Sequence, residues 1–167
     1  MNRARRRLAA ALLALPLAGC GYHLRGSLPD TQLPFESIYL DAPSGTPLER
    51  EMRTAIRSQR TTKLIDNPKE AAIALRVLRD KQERKVLTLN SQGQVREYSL
   101  TYRIHYEVAD RDNKKLLEPT EIVMQTILSY SESQVLAKEQ EEKLIFDDMR
   151  HDAVSQIMRQ LAQVRPE

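Results

Sequence analysis

Residues 98–108 read Tyr98-Ser99-Leu100-Thr101-Tyr102-Arg103-Ile104-His105-Tyr106-Glu107-Val108. Six apolar or aromatic residues (Tyr98, Leu100, Tyr102, Ile104, Tyr106, Val108) alternate with five polar ones. Successive side chains of a strand point to opposite faces, so this alternation predicts a long strand with one buried and one wet face. Tyr102 and Ile104 are expected beneath a helical layer, with Arg103 and His105 on the opposite side.

The flanking sequence extends this strand into a meander. Upstream, Gln92-Gly93 predicts a hairpin turn. Before it, residues 86–89 have strand character, residues 79–85 (RDKQERK) contain no apolar residue, and Ile73, Leu75 and Val77 alternate. A strand therefore begins near Ala71, after a boundary at Pro68. Downstream, residues 110–114 (DRDNK) form the next turn. Residues 122–130 form a third long strand, with Pro119 near its start, where a missing amide is tolerated. A further short strand at residues 35–42 (FESIYLDA) places Ile38 and Leu40 on one face.

Two helices complete the pattern. Thr46-Pro47-Leu48-Glu49 combines a capping hydroxyl, a proline suited to the first helical position and a capping-box glutamate. Leu48, Met52, Ala55 and Ile56 then recur at helical spacing through about Gln59, while Arg50, Arg53, Arg57 and Arg60 form a solvated face. The last helix runs from about Glu132 to Val164, capped by Ser131 or Ser133. Its expected stripe is Leu136, Ile145, Met149, Ala153, Ile157 and Leu161, and its length about 45 Å. The predicted fold is α+β, a two-layer sandwich of an about four-stranded sheet packed by two helices, in the order β-α-β-β-β-α. The strands around Gly93 exceed the usual 3–10 residues. Their charged end is expected to project beyond the helices or to be covered by a partner.

The N-terminus supplies the address. Arg3, Arg5, Arg6 and Arg7 precede a run of about ten apolar residues, too short to span a bilayer, and Leu17-Ala18-Gly19-Cys20 closes it. This is the pattern of an export signal with a lipoprotein cleavage box. Residues 1–19 are read as the signal peptide, Cys20 as the lipidation site, residues 20–34 as a lipidated tether and residues 35–167 as a single α+β domain. Removing residues 1–19 takes four arginines and no acid from a net charge of +3, leaving −1 over 148 residues. The basic precursor is thus no argument for nucleic-acid binding. A lipidated Cys20, the sole cysteine, leaves no disulfide, so the fold must rest on its core. The chain is expected to hang from a membrane by several acyl chains. By resemblance to bacterial lipoproteins, Gly21 rather than aspartate after the cysteine points to the periplasm-facing leaflet of the outer membrane.

Catalytic and metal-binding patterns are absent from the sequence. His23, His105 and His151 show no metal-ligand spacing. Asp147-Asp148 and the acids of residues 139–142 read as solvated helix surface, and there is no phosphate loop or nucleophile elbow. No catalytic residue, metal or cofactor is expected, and the chain reads as a binding or scaffolding protein.

Cys20-Gly21-Tyr22-His23-Leu24-Arg25-Gly26 resembles the mature N-terminus of the LPS-assembly lipoprotein LptE family. The element order, the Gly93 hairpin followed by Glu97-Tyr98, and Leu136-Ala137-Lys138 fit the same family. The resemblance implies a non-catalytic lipoprotein that plugs the lumen of a large outer-membrane β-barrel, LptD, assists its assembly and binds lipopolysaccharide. It also implies cations for the lipid phosphates. Lys138 matches the family's lysine at the start of the last helix. Its arginine before the hairpin glycine is not matched, since Asn90 and Ser91 stand there. Arg84, Lys85 and Arg96 flank the hairpin and are the candidates in its place. The rival readings are another envelope lipoprotein, such as an accessory subunit of the barrel-assembly machinery, and a lipid-anchored periplasmic hydrolase.

Overall fold

A computed structural model describes residues 32–165. The expected signal peptide, the expected lipidation site Cys20 and most of the expected tether lie outside the described residues. The elements are β1 (Ser37–Asp41), α1 (Pro47–Arg57), β2 (Lys63–Leu64), β3 (Ile73–Leu89), β4 (Val95–Asp110), β5 (Lys115–Ser129), a 3-10 turn (Glu132–Gln134) and α2 (Val135–Leu161). They form one five-stranded sheet in the order β2-β1-β3-β4-β5. β1 runs parallel to both its neighbours, and β3, β4 and β5 form an antiparallel meander. The fold is the expected α+β sandwich, with one strand more than the sequence suggests. That strand, β2, is two residues long and shows no alternation.

The core follows the strand period. Leu100, Tyr102, Ile104, Tyr106 and Val108 of β4 are buried against Phe146, Met149, Ala153, Val154, Ile157 and Leu161 of α2 and Leu48, Met52 and Ile56 of α1. Arg103 and His105 lie on the other face and stay partly exposed. Leu33 and Phe35 are also buried in this cluster. Two tyrosine hydroxyls are carried into the core. Burial pushes the Tyr106 phenol up to about 12, and its hydroxyl meets the Gln160 side chain. Burial, and next the Asp80 carboxylate, hold the Tyr102 phenol far above its ordinary value.

The start of α1 is built as its sequence dictates. The Thr46 hydroxyl accepts from the Glu49 amide at 3.1 Å. The Glu49 carboxylate accepts in return from the Gly45 amide at 2.6 Å, one residue earlier than in the usual capping box. Both hairpins share one design. In the first, Asn90 Oδ1 accepts from the amides of Gln92 and Gln94, and Gly93 is left-handed with φ 80°. In the second, Asp110 Oδ1 accepts from the Lys114 amide, and Asn113 is left-handed with φ 64°. Glycine and asparagine are the residues that enter this region at least cost.

α2 departs from expectation at its start. The helix begins at Val135 behind a 3-10 turn, and neither Ser131 nor Gln134 makes a side-chain cap. Leu136 does not join the buried stripe and is 77% exposed. The reason is phase: nine residues separate it from Ile145, and two and a half helical turns place the two on opposite sides. The inward row at this end runs instead through Lys138, Glu142 and Phe146.

The strands outrun the core. β3 has 17 residues, β4 16 and β5 15, so β3 extends about 56 Å. β1 pairs with β3 only from Ile73 to Arg76. Beyond that point the outer edge of β3 has no neighbouring strand among the described residues. Bulges at Leu78 and Leu87 interrupt it, and its segment 79–85 is the wholly polar one. Charge and bulges on an open edge discourage pairing with another chain.

Candidate functional site

The four candidate cations fall at the hairpin end of the sheet but do not converge. Arg84 is on the helix-covered face. Its guanidinium lies 4.8 Å from the Tyr98 ring centre and donates to Glu142 of α2 at 2.8 Å. The Glu142 carboxylate is the largest influence raising its pKa. Tyr98 in turn meets Tyr130 edge-on at 5.1 Å. Arg84 is therefore a tie between β3 and α2. Glu142, read from the sequence as solvated surface, is its partner.

Lys85 is one residue on and faces the opposite side of the sheet. It is 74% exposed, with Glu83 at 3.7 Å. Arg96 sits at a bulge beside the hairpin tip, where its carbonyl accepts from the Tyr130 amide at 2.8 Å. Its exposed side chain makes no ion pair among the described residues. It lines a shallow groove of about 410 Å³ with Asn90, Gln94, Tyr130, Ser131, Ser133 and Glu132, whose carboxylate accepts from the Gln94 side chain at 3.0 Å. Lys138 stands one turn into α2, bonded to Glu141 at 2.7 Å, with its side chain only 18% exposed. Arg84 and Lys138 thus already hold internal carboxylates, Lys85 faces away, and Arg96 is the cation open to the groove.

The hairpin end also carries exposed aliphatic side chains. Val86, Leu87 and Leu89 of β3 are about half exposed, and Leu136 of α2 is more so. Between the helices, Glu51 of α1 accepts from Arg150 Nε and pairs with His151 Nδ1, both at 2.9 Å, and Asp147 accepts from Arg150 at 2.7 Å. This cluster joins α1 to α2. Among the described residues no group of three His, Cys, Asp or Glu side chains is placed to hold a metal, and no helix is long and apolar enough to cross a membrane.

This two-layer α+β fold is shared with solved bacterial lipoproteins. The solution structure of an uncharacterized lipoprotein B from Nitrosomonas europaea superposes with a TM-score of 0.72 at 32% identity, covering 85% of this chain and 90% of that one. The rare lipoprotein B from Shewanella oneidensis superposes at 0.66 with 26% identity, over 76% of this chain and 94% of that one. Within that class the sequence is specific: the LptE family model, described as lipopolysaccharide-assembly, matches residues 35–161, and the chain belongs to this family. Its relatives include proteins named LPS-assembly lipoprotein LptE. That of Pectobacterium atrosepticum is 28% identical over 92% of this chain and 83% of the relative. That of Photorhabdus laumondii is 28% identical over 94% and 85%.

Proposed function

We propose that this protein is an outer-membrane lipoprotein subunit of the lipopolysaccharide translocon, anchored through Cys20. In this role it plugs an LptD-type β-barrel, assists its assembly and binds lipopolysaccharide during insertion into the outer leaflet, with no catalytic step of its own. The observation that carries the reading is the family match across residues 35–161. The physics supports it. A barrel lumen shields strand edges that an isolated chain must guard with charge, and β3 has such an edge beyond Arg76. The exposed aliphatic side chains at the hairpin end are suited to burial against a partner surface. Arg96, open to the groove and without an internal carboxylate, is suited to a lipid phosphate.

The test is photocrosslinking in outer membranes from residues 89, 96 and 136, with co-purification in detergent. Crosslinks to one large β-barrel protein, together with lipopolysaccharide retained by the purified complex, are expected. Mass spectrometry of the mature protein should find acylated Cys20. A monomer in outer-membrane extracts that binds no lipopolysaccharide at low salt overturns the reading. Co-purification with the barrel-assembly machinery alone would move the protein to that system.

A further inference from the structure

The helix-free face of the sheet carries a basic block that neither the fold nor the hairpin cations explain. In the register of β3 against β4, Lys81 stands directly opposite Arg103, and Arg79 opposite His105. These four residues alternate with the buried row of β4, so all four project from the face opposite the helices. Like charges directly opposed across strands destabilise a sheet, so the Lys81–Arg103 pair is a local cost within an otherwise consistent strand pairing. Carboxylates offset it only in part. Glu83 is shared between Lys81 and Lys85, and Glu121 stands 3.6 Å from Arg103. Arg79 makes no ion pair among the described residues. With Lys85 included, the permanent cations Arg79, Lys81, Lys85 and Arg103 thus face the carboxylates Glu83 and Glu121. Glu107, further along the same face, is held by Arg76 and Lys115. The block lies where β3 has lost β1 as a neighbour, and it is open from the side as well as from above.

Across β4 the same face carries two exposed aliphatic side chains of β5, spaced among Glu121 and Gln125. Val123 of β5 is the register partner of Arg103, and Ile127 that of Ser99. They are 45% and 57% exposed. Adjacent strands are about 4.8 Å apart, so the cationic and aliphatic stripes lie side by side within about 10 Å. An acidic protein strand would satisfy the cations and leave Val123 and Ile127 in water. A phosphorylated, acylated glycolipid matches both stripes, phosphates on the arginines and lysine and hydrocarbon on β5.

We infer that the open face around Arg79, Lys81, Arg103 and Val123 is a lipopolysaccharide-binding surface, separate from the hairpin tip and Lys138. The inference rests on the reading above that the protein binds lipopolysaccharide, and its test separates the two. Fluorescently labelled lipopolysaccharide is titrated into the full-length protein and into the variants Lys81→Gln/Arg103→Gln, Val123→Ser and Lys138→Glu. The double variant should bind at least about tenfold more weakly, as expected for loss of charge-assisted bonds. Its melting temperature should change little, because the opposed like charges and their exposed ion pairs to Glu83 and Glu121 are removed together. Val123→Ser should weaken binding severalfold, and inorganic phosphate at millimolar concentration should not displace the lipid. Full binding by the double variant and Val123→Ser, with loss only in Lys138→Glu, overturns the open-face site and leaves the proposed function standing. No binding by the unsubstituted protein overturns both. A double variant that keeps lipopolysaccharide but loses its β-barrel partner also overturns the inference, and makes this face a protein interface.

Discussion

Ile104 is fully buried at the centre of β4, while Arg103 beside it points to the other face. Replacing Ile104 by Asp removes a packed side chain and places a carboxylate in a site without a cation. Cavity formation alone costs about 2–5 kcal/mol for such a residue, and the unpaired charge adds to it. Ile104→Asp is expected to lose the cooperative melting transition at growth temperature, whereas Arg79→Ala, on the wet face, should melt within about 0.5 kcal/mol of the parent. An unchanged melting curve for Ile104→Asp would overturn the facing of β4. This facing was legible before the structure, because alternation with period two has one physical interpretation. The pairing of Arg84 was not legible, because its partner depends on which residue of a remote helix arrives beside it, and Glu142 lies 58 positions away. Lys138 with Glu141, three residues on in one helix, is by contrast a local pair.

At the scale of an element, α1 shows local sequence deciding local structure. Thr46, Pro47 and Glu49 perform the capping roles their types suggest. The Glu49 carboxylate is held below its ordinary pKa, first by the hydrogen bond from Arg53 and then by that from the Gly45 amide. A carboxylate whose folded pKa is depressed stabilises above its unfolded pKa and loses that contribution as pH falls through the folded value. Glu49→Gln should therefore melt below the parent at neutral pH, and the gap should narrow at about pH 3, below the ordinary glutamate pKa of about 4.3. An equal gap at both pH values would show that ionisation of Glu49 contributes nothing to the cap. α2 shows the converse. Its C-terminal half was legible through the buried row from Met149 to Leu161. Its start was not, because Leu136 is apolar yet out of phase, and two serines of good capping type make no cap.

For the whole molecule, the long meander divides stability unevenly. The rows around Tyr102 to Val108 lie beneath both helices. The rows toward Gly93 have an open β3 edge, two closely spaced bulges at Leu87 and Arg96, and exposed aliphatic side chains. Regions with few buried contacts open locally at lower free energy than the core. Amides of residues 86–97 are expected to exchange with solvent faster than those of residues 102–108 in the free protein, and to become protected in the proposed complex with a β-barrel. Equal protection at both ends of the free protein would show that the hairpin end is stabilised from within.

By itself the sequence determined the facing of β4, both hairpin turns, the cap of α1, the α+β class and, through its N-terminal motif and element order, the expected family. These are local or periodic properties, set by dihedral preferences and by a side-chain repeat of two or 3.6 residues. Only the tertiary structure decided that Lys63–Leu64 pairs as a fifth strand, that β3 keeps its register with β4 through the polar segment 79–85, and that Arg84 is already engaged with Glu142. It alone set Lys81 opposite Arg103 beside an aliphatic stripe. Each of these depends on strand register and on contacts distant in sequence, which no local repeat encodes.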